Sequence, residues 1–222
     1  MEIIDQLRLG IIEIGIKLLT EGFVARSWGN ISARLDDTYM LITPSGRTYD
    51  DLSVEDIVMV NYHNSRHEGQ IEPSSEKEVH CEIYRKRKTI NAVIHTHQMN
   101  ASTVATARRE VPAIIDDQAQ IIGPSVRVAP YTLAGTKRIA KRVERALRGR
   151  NAALMANHGA VCIGRDLEEA FVVCQVLEKT CKAFIEAEFL GGAKSINKFQ
   201  AALMHRYYIR NYSAKANKNK LL

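Results

Sequence analysis

Cysteine is scarce in this sequence, and no two cysteines form a C-x-x-C pair. The chain of 222 residues contains four of them: Cys81, Cys162, Cys174 and Cys181. A chain of this size with so few cysteines is not held together by a disulfide framework. We expect reduced, buried thiols, as is usual in the cytoplasm, with Cys174 and Cys181 on one face of a helix.

Long apolar runs are also missing. The longest stretch without a charged residue, from Thr89 to Ala107, contains two histidines, two asparagines and a glutamine, so we expect no membrane-spanning helix. Glu2 and Asp5 precede the first apolar segment and no small-residue cleavage site follows it, so we expect no signal peptide. The content of 45% hydrophobic and 25% charged residues is ordinary for globular domains. Together these features predict a cytoplasmic globular protein.

Acidic residues are absent from the C-terminal end. Residues 189–222 hold seven basic residues and no acidic one, which leaves the rest of the chain near neutral although the net charge is +6. A nucleic-acid-binding domain would carry its basic residues on one face of its body, and the internal basic run 85–88 suits an exposed helix end. We predict a single domain over residues 1–212, a basic tail over 213–222 and no nucleic-acid partner. A nucleic-acid binder that uses the tail is the alternative.

Apolar periodicity predicts one α/β domain with mixed sheet order. Helices are expected over 2–20, 75–88, 98–107, 134–148, 166–190 and 195–209. Strands are expected over 30–35, 39–43, 56–62, 90–96, 111–122, 126–129, 152–157 and 160–163. Ser75 and Glu78 have the spacing of a capping box at the start of the second helix. Ile196, Phe199 and Leu203 fall on one stripe of the last helix.

The sharpest local pattern is His95-Thr96-His97. Residues i and i+2 of a strand point to the same face of a sheet, and two imidazoles on one face can bind a single zinc ion. The alternative is a pair of polar residues on an exposed strand edge. A short motif of this kind needs support from elsewhere in the sequence.

Two further residues provide that support. His158 lies in Asn157-His158-Gly159 at the junction of two apolar strands, where a third ligand would project. Three histidine ligands leave a coordination position open, which is typical of catalytic zinc sites. Glu76 offers a carboxylate at a helix start; alternatively, it only stabilises the helix dipole.

Two glycine turns complete the pattern, over residues 27–30 and 43–46. Turn amides, hydroxyl groups and a nearby helix N-terminus are what a phosphate dianion needs. The sequence has no G-x-G-x-x-G motif and no P-loop, so a nucleotide site of those kinds is not indicated. Each turn, taken alone, is also compatible with an ordinary loop.

In this order the motifs resemble those of the class II aldolase/adducin family, over about residues 1–190, and most closely those of its sugar-phosphate aldolases. The resemblance implies a three-layer α/β/α sandwich around a largely antiparallel central sheet. It also implies a homotetramer with four-fold symmetry whose active sites lie between subunits. One zinc ion per chain would be bound by His95, His97 and His158. Glu76 would act as acid/base and could also bind the metal when substrate is absent. The residues implied to bind the substrate phosphate are Gly29, Asn30, Ser45, Gly46, Ser74 and Ser75.

The activity implied is that of a class II, metal-dependent aldehyde-lyase. It would cleave a ketose 1-phosphate, such as L-fuculose 1-phosphate or a similar deoxyketose, into dihydroxyacetone phosphate and a short aldehyde. An L-ribulose-5-phosphate 4-epimerase, a sugar-phosphate dehydratase and a non-enzymatic adducin-like module are the alternatives within the family. The complete histidine set and Glu76 argue against the last of these.

The C-terminal segment is implied to carry a catalytic tyrosine. Tyr208 matches the position of a proton-donating tyrosine in the family. A second tyrosine, which the aldolases take from a neighbouring subunit, falls near Asp116 here, and the catalytic aspartate of the epimerases falls near Gln120. Asp116, Asp117 and Tyr131 are candidate substitutes for the missing tyrosine. His80, one helical turn after Glu76, is expected to support the site or to pack in the core.

Overall fold

The computed structural model describes residues 2–212, and the predicted basic tail at 213–222 lies outside the described residues. The helices are α1 (Ile3–Thr20), α2 (Lys77–Lys86), α3 (Met99–Thr106), α4 (Lys137–Ala146), α5 (Leu167–Phe189) and α6 (Lys198–Tyr207). The strands are β1 (Asn30–Arg34), β2 (Tyr39–Ile42), β3 (Val58–Asn61), β4 (Arg66–His67), β5 (Ala92–Thr96), β6 (Val111–Pro112), β7 (Ser125–Ala129), β8 (Ala152–Met155) and β9 (Gly159–Gly164).

The strands form one sheet in the order β4-β3-β2-β1-β5-β9-β8-β7-β6. Strands β7 and β8 are parallel, and the other neighbouring pairs are antiparallel. The sheet therefore confirms the prediction of a largely antiparallel centre. Strand β5 lies in the middle, between β1 and β9, and its residue His95 pairs with Asn30 on one side and Val161 on the other.

Helices cover both faces of the sheet. Alternate residues of β5 point to opposite faces, so Ile94 packs in one core with residues of α1, α3 and α5. Val93 packs in a second core with residues of α2 and α4. These two cores make the three layers that the family resemblance implied. Because the central strands are buried on both faces, they appear in the sequence as continuous apolar runs.

One predicted strand is mostly something else. Of residues 111–122, only Val111–Pro112 is a strand, and Gln118–Ile122 forms a π-helical turn. The carboxylate of Asp117 accepts from the backbone N–H of Gln118, and the Gln118 amide bonds Ile114 N and Pro112 O. These side-chain bonds provide partners for backbone groups that would otherwise pair with a neighbouring strand.

The predicted capping box at Ser75 and Glu78 does not form. Helix α2 begins at Lys77, so Glu76 holds the cap position, and it makes no side-chain capping bond. The hydroxyl of Ser74 accepts from the backbone N–H of Glu76 at 3.3 Å instead. Ser75 is left exposed, without the helix-capping role that the spacing predicted.

Only one residue of the predicted apolar stripe of the last helix faces the core. Ile196, just before α6, packs against the small cluster of Ala113, Ala119 and Ala201. Phe199 and Leu203 are 87% and 67% exposed, whereas Ala201 and His205 are buried. Helix α6 therefore packs through Ala201, Met204 and His205. The apolar spacing gave the period of the helix correctly but not the face that is covered.

All four cysteines are free and buried, which confirms the expectation of reduced thiols. Cys174 and Cys181 both lie on α5 in the core against the sheet, as predicted. None of the helices between residues 2 and 212 combines the length and the apolar character needed to cross a membrane.

Candidate active site

His95 is fixed in the centre of the sheet by its strand and by one hydrogen bond. Its side chain is 2% exposed, and its Nδ1 lies 2.8 Å from the carbonyl oxygen of Ala160 on β9. Because a carbonyl only accepts, Nδ1 must carry the proton in this contact. The other nitrogen, Nε2, therefore faces the side chains described next, as in metal-binding histidines whose second nitrogen bonds a carbonyl.

His97 lies directly after β5 and on the same side as His95. Its backbone N–H donates to Phe23 O at 3.0 Å, which holds the chain as it leaves the strand. The Nε2 atoms of His95 and His97 are 2.9 Å apart. The H-x-H spacing thus brings both imidazoles to one point, as the strand periodicity predicted.

His158 reaches the same point from the turn that joins β8 and β9. Asn157 in this turn has a φ of 55°, a left-handed conformation that asparagine tolerates better than most residues. Gly159 follows, and a Cβ at this position would lie 2.3 Å from Thr96 O. Only glycine allows β9 to approach β5 so closely, and this approach sets His158 beside the other two histidines.

Glu76 completes the cluster from the start of α2. Its Oε2 lies 3.1 Å from His95 Nε2, and its Oε1 lies 3.5 Å from His158 Nε2. The amide nitrogen of Asn30 donates to Oε2 at 3.2 Å. One potential ligand atom from each of the four side chains lies within 4.8 Å of the others.

The charges of the cluster shift the pKa values of its members in opposite directions. Burial raises the pKa of Glu76, but the charge and hydrogen bond of His95 outweigh burial and hold it well below its usual range. Burial lowers the pKa of His95, yet the Glu76 carboxylate raises it above its ordinary value. Burial and the neighbouring imidazoles lower the pKa of His97 to about 4. Burial, followed by the charge of His95, lowers that of His158. The site thus favours an ionised carboxylate beside two neutral imidazoles.

The donor set fits a divalent metal ion. Glu76 Oε1 is buried and has no hydrogen-bond partner, which is costly for a charged oxygen unless something else compensates it. The close Nε2 atoms of His95 and His97 also need a positive centre between them when both rings are neutral. Three imidazole nitrogens and one carboxylate oxygen are ligands that zinc accepts.

A cavity of about 130 Å³ lies beside the cluster. Its lining includes Glu76 and His97 together with all six residues implied to bind phosphate: Gly29, Asn30, Ser45, Gly46, Ser74 and Ser75. The turn at 43–46 and the start of α2 are joined by backbone bonds from Ser45 N to Glu72 O and from Ser74 N to Thr43 O. These bonds explain why the turn at 43–46 and the start of α2, which are distant in sequence, line one cavity.

Gly29 is needed for the close packing of this cavity wall. Its φ is +84°, and a Cβ here would lie 2.7 Å from His95 O. Asn30, the next residue, is 3% exposed, and both ends of its carboxamide are engaged. Nδ2 donates to Glu76, and Oδ1 lies 2.5 Å from His80 Nε2.

Sequence reasoning missed two residues behind the site, Ser32 and Tyr84. Ser32 Oγ lies 2.6 Å from His80 Nδ1 and 2.8 Å from the Tyr84 hydroxyl. The signal that could have found them is periodicity. Asn30 and Ser32 alternate along β1, and His80 and Tyr84 follow Glu76 at intervals of four along α2, so each set shares a face.

Tyr208 does not lie with the cluster in its own chain. Its hydroxyl is 3.4 Å from Glu169 Oε1, and the Arg165 guanidinium lies 5.8 Å from its ring centre. These partners belong to the Gly164 end of β9, about 17 Å of strand from Gly159 at ~3.3 Å per residue. Of the suggested substitutes, Asp117 pairs with Lys179, Asp116 is exposed and Tyr131 is 52% exposed.

The family comparison covers most of the chain. Residues 10–185 match the family described as "Class II Aldolase and Adducin N-terminal domain". The 5-deoxy-D-ribulose 1-phosphate aldolase of Bacillus thuringiensis serovar kurstaki is 35% identical over 185 residues, which cover 83% of this chain and 86% of that protein. The L-fuculose phosphate aldolase of Escherichia coli K12 is 32% identical over 181 residues, covering 82% of this chain and 83% of that protein.

A solved structure agrees with these relatives. The structure of an L-fuculose 1-phosphate aldolase superposes with a TM-score of 0.87 at 32% identity, covering 91% of this chain and 96% of that chain. The similarity therefore extends from the arrangement of motifs to the whole fold.

Proposed function

The chain belongs to the class II aldolase and adducin family, and from this premise we propose that it is a zinc-dependent aldolase acting on a ketose 1-phosphate. The products would be dihydroxyacetone phosphate and a short aldehyde. L-Fuculose 1-phosphate and 5-deoxyribulose 1-phosphate are the leading substrates, because relatives at 32% and 35% identity are named for them. The observation that carries the proposal is the convergence of Glu76 with three histidines beside a cavity lined by the two glycine turns and the start of α2.

His95, His97 and His158 would hold one zinc ion per chain, with Glu76 as a further ligand when no substrate is present. A zinc ion bound there would supply a Lewis acid for the carbonyl group of the substrate. Of the four side chains in the cluster, Glu76 and His97 line the cavity. The Ala160 carbonyl keeps His95 Nε2 directed toward Glu76 and His97.

Glu76 would move the proton at the carbon that forms or loses the C–C bond. In cleavage its protonated carboxyl group would deliver a proton to the carbon of the departing dihydroxyacetone phosphate. In condensation its carboxylate would remove that proton. The N–H of Asn30 holds the carboxylate oxygen that faces His95, so one oxygen is oriented and the other is directed toward His158.

The two turns and the start of α2 would bind the substrate phosphate. Ser45 and Ser75 are exposed or partly exposed hydroxyl-bearing residues in the cavity lining, and Gly29 and Gly46 allow the backbone to approach the phosphate. Phosphate binding at these residues would hold the reacting carbons of the substrate in place beside the cluster.

We further propose a cytoplasmic homotetramer in which neighbouring subunits complete each active site. The position of Tyr208 at the far end of β9 supports this arrangement, because a proton donor at that position cannot serve the cluster of its own chain without a large movement. In a second copy of the chain, the same tyrosine could approach the cavity side of the cluster.

The test is an assay of purified, zinc-loaded protein on L-fuculose 1-phosphate and 5-deoxyribulose 1-phosphate, with coupled detection of dihydroxyacetone phosphate. We expect cleavage of at least one substrate, loss of activity after chelation and recovery after zinc is restored. The Glu76→Gln variant is the matched control for contaminating aldolase. Production of an epimeric ketose phosphate from L-ribulose 5-phosphate, or loss of water from a sugar phosphate, without dihydroxyacetone phosphate would instead identify one of the alternatives in the family.

A further inference from the structure

A chain of buried polar side chains extends from the cluster into the layer between the sheet and α2. Asn30 Nδ2 contacts Glu76, and Asn30 Oδ1 lies 2.5 Å from His80 Nε2. His80 Nδ1 lies 2.6 Å from Ser32 Oγ, which is 2.8 Å from the Tyr84 hydroxyl. Both His80 and Ser32 are 0% exposed, so water does not reach this chain of contacts.

For a neutral His80 ring, one assignment of protons satisfies these contacts together. An ionised carboxylate only accepts, so the NH2 group of Asn30 faces Glu76 and its oxygen faces His80. His80 Nε2 must then donate. Burial lowers the pKa of His80 to about 3, so the ring is neutral and its Nδ1 accepts from the Ser32 hydroxyl. The Ser32 oxygen in turn accepts from Tyr84, whose hydroxyl has the Ser32 carbonyl as a second acceptor at 3.1 Å.

We propose that His80 is a positioning residue whose Nε2–H fixes the Asn30 carboxamide and, through it, the Glu76 carboxylate. This inference rests on the role proposed above for Glu76 in binding zinc and moving a proton. His80 touches neither substrate nor metal. It acts by supplying the one donor that a buried Asn30 oxygen can use, and without that donor the carboxamide turns away from Glu76 or leaves its oxygen unsatisfied.

A role in packing alone explains the contacts less well. An apolar side chain of similar size would fill the space between α2 and β1 without the cost of burying an imidazole. His80 instead uses both ring nitrogens, one toward Asn30 and one toward Ser32. The contact with Ser32 orients the His80 ring, so that Nε2–H is directed to Asn30, the residue that contacts Glu76.

The test compares two amides at position 80 that differ by one methylene group. In His80→Gln the amide nitrogen can take the place of Nε2 and donate to Asn30. In His80→Asn the shorter side chain matches the reach of Nδ1 and cannot. We expect His80→Gln to keep the zinc affinity of the wild type, and His80→Asn to lose about 10- to 100-fold, the usual cost of removing a residue that supports a metal ligand. Equal affinities of the two variants would overturn the proposal.

A double-mutant cycle with Asn30→Ala separates positioning from packing. If His80 acts through Asn30, adding His80→Asn to Asn30→Ala weakens zinc binding no further, and the same holds for kcat. Effects that multiply would mean that His80 acts independently of Asn30, and the proposal would be wrong. Tyr84→Phe is the control for general loosening of this layer, because it keeps the His80–Asn30 contact and should keep zinc affinity.

The zinc measurements need no substrate, so they distinguish the two proposals. Coupling between His80 and Asn30 in a protein that cleaves no ketose 1-phosphate would leave the positioning role standing and reject the proposed function. An active, zinc-binding enzyme without such coupling would reject the positioning role of His80 and leave the proposed function standing.

Discussion

The two ends of strand β9 carry different polar chemistry. At the Gly159 end, Glu76 and three imidazoles converge, and Glu76 Oε1 is buried without a hydrogen-bond partner. At the Gly164 end, the Arg165 guanidinium donates two hydrogen bonds to Glu169, which also accepts from the Arg165 backbone N–H and the Tyr208 hydroxyl. At the Gly159 end, acceptors outnumber the donors that face them. At the Gly164 end, opposite charges are paired, and the one unpartnered atom of the pair, Arg165 Nη1, belongs to a cation.

This difference separates a site from a structural ion pair. In the Arg165–Glu169 pair the two charges compensate each other within the chain, so the pair needs no further ion. The Glu76 cluster is incomplete without a cation, which is the condition expected of a metal-binding site. Changes at the Gly159 end should therefore alter function, and changes at the Gly164 end should alter function only if a neighbouring chain uses them.

The largest effect is expected from removal of a histidine at the Gly159 end. His95→Ala, His97→Ala and His158→Ala should each lose bound zinc and at least about 10³-fold in kcat/KM, because the Lewis acid contributes several kcal/mol to the reaction. Elemental analysis after dialysis measures the metal. Full zinc occupancy in His158→Ala would remove this residue from the proposed ligand set.

Glu76→Gln should come next. We expect the variant to fold, assemble and still bind zinc through the three histidines at saturating metal, with an affinity lowered at least as much as in His80→Asn. Exchange of the substrate C–H proton with solvent should slow by about 10²–10⁴-fold, the usual contribution of a general base. The exchange rate, followed by NMR in D2O, does not depend on the donor to the aldehyde. Exchange at the wild-type rate would move the base to another group.

Tyr208→Phe tests whether the Gly164 end matters to another chain. We expect zinc content and stability to stay unchanged while kcat falls by about 10²-fold, as for loss of a general acid. Unfolding and refolding a mixture of Tyr208→Phe and Glu76→Gln should then restore part of the activity, since some mixed sites contain both native residues. Mixtures as inactive as the separate variants would argue that each chain uses its own residues.

A smaller effect separates two adjacent serines. Ser75 is exposed in the cavity lining and does not cap α2, so Ser75→Ala should raise KM about 10-fold through one lost bond to a charged phosphate, with stability unchanged. Ser74 accepts from Glu76 N, so Ser74→Ala should instead lower stability by about 0.5–2 kcal/mol, the usual cost of losing a cap-type bond. Identical profiles for the two variants would contradict this division.

A further effect concerns stability alone and depends on pH. The pKa of His80 falls from 6.5 to about 3 in the folded protein, so between these values the unfolded chain binds a proton that the native protein does not. The free energy of unfolding must therefore fall as the pH drops through this window. In His80→Gln this slope should be shallower by up to about 1.4 kcal/mol per pH unit. Denaturation curves measure the slope, and Tyr84→Phe, which keeps the imidazole, should retain that of the wild type.

Much of the candidate site follows from local sequence rules. His95 and His97 share a face because strands have a period of two, and His158 lies where two apolar strands meet. The contacts of Asn30 do not follow in the same way. They depend on the pairing of β1 with β5 and on the rotation of α2, which bring His80 and Glu76 to opposite ends of one carboxamide.

The predictions failed where side chains replace backbone partners or where packing selects a face. Gln118 bonds the backbone around it and converts an apolar, strand-like segment into a π-helical turn. On α6 the buried face contains Ala201 and His205 rather than the larger apolar residues Phe199 and Leu203. The spacing of apolar residues does not indicate which face of a helix is buried when the surface that packs against the helix is unknown. For the same reason, the sequence does not reveal which chain Tyr208 serves.

The pairing of β5 with β9 also constrains the order of folding events. His95 and its hydrogen-bond partner Ala160 are 65 residues apart, and the segment between them contains two helices and strands β6 to β8. Closing so long a loop has an entropic cost that must be met before its contacts form, and such non-local pairing slows folding. The three histidines therefore come together only when β5 and β9 have paired. Zinc uptake during refolding would then be a kinetic marker of this pairing.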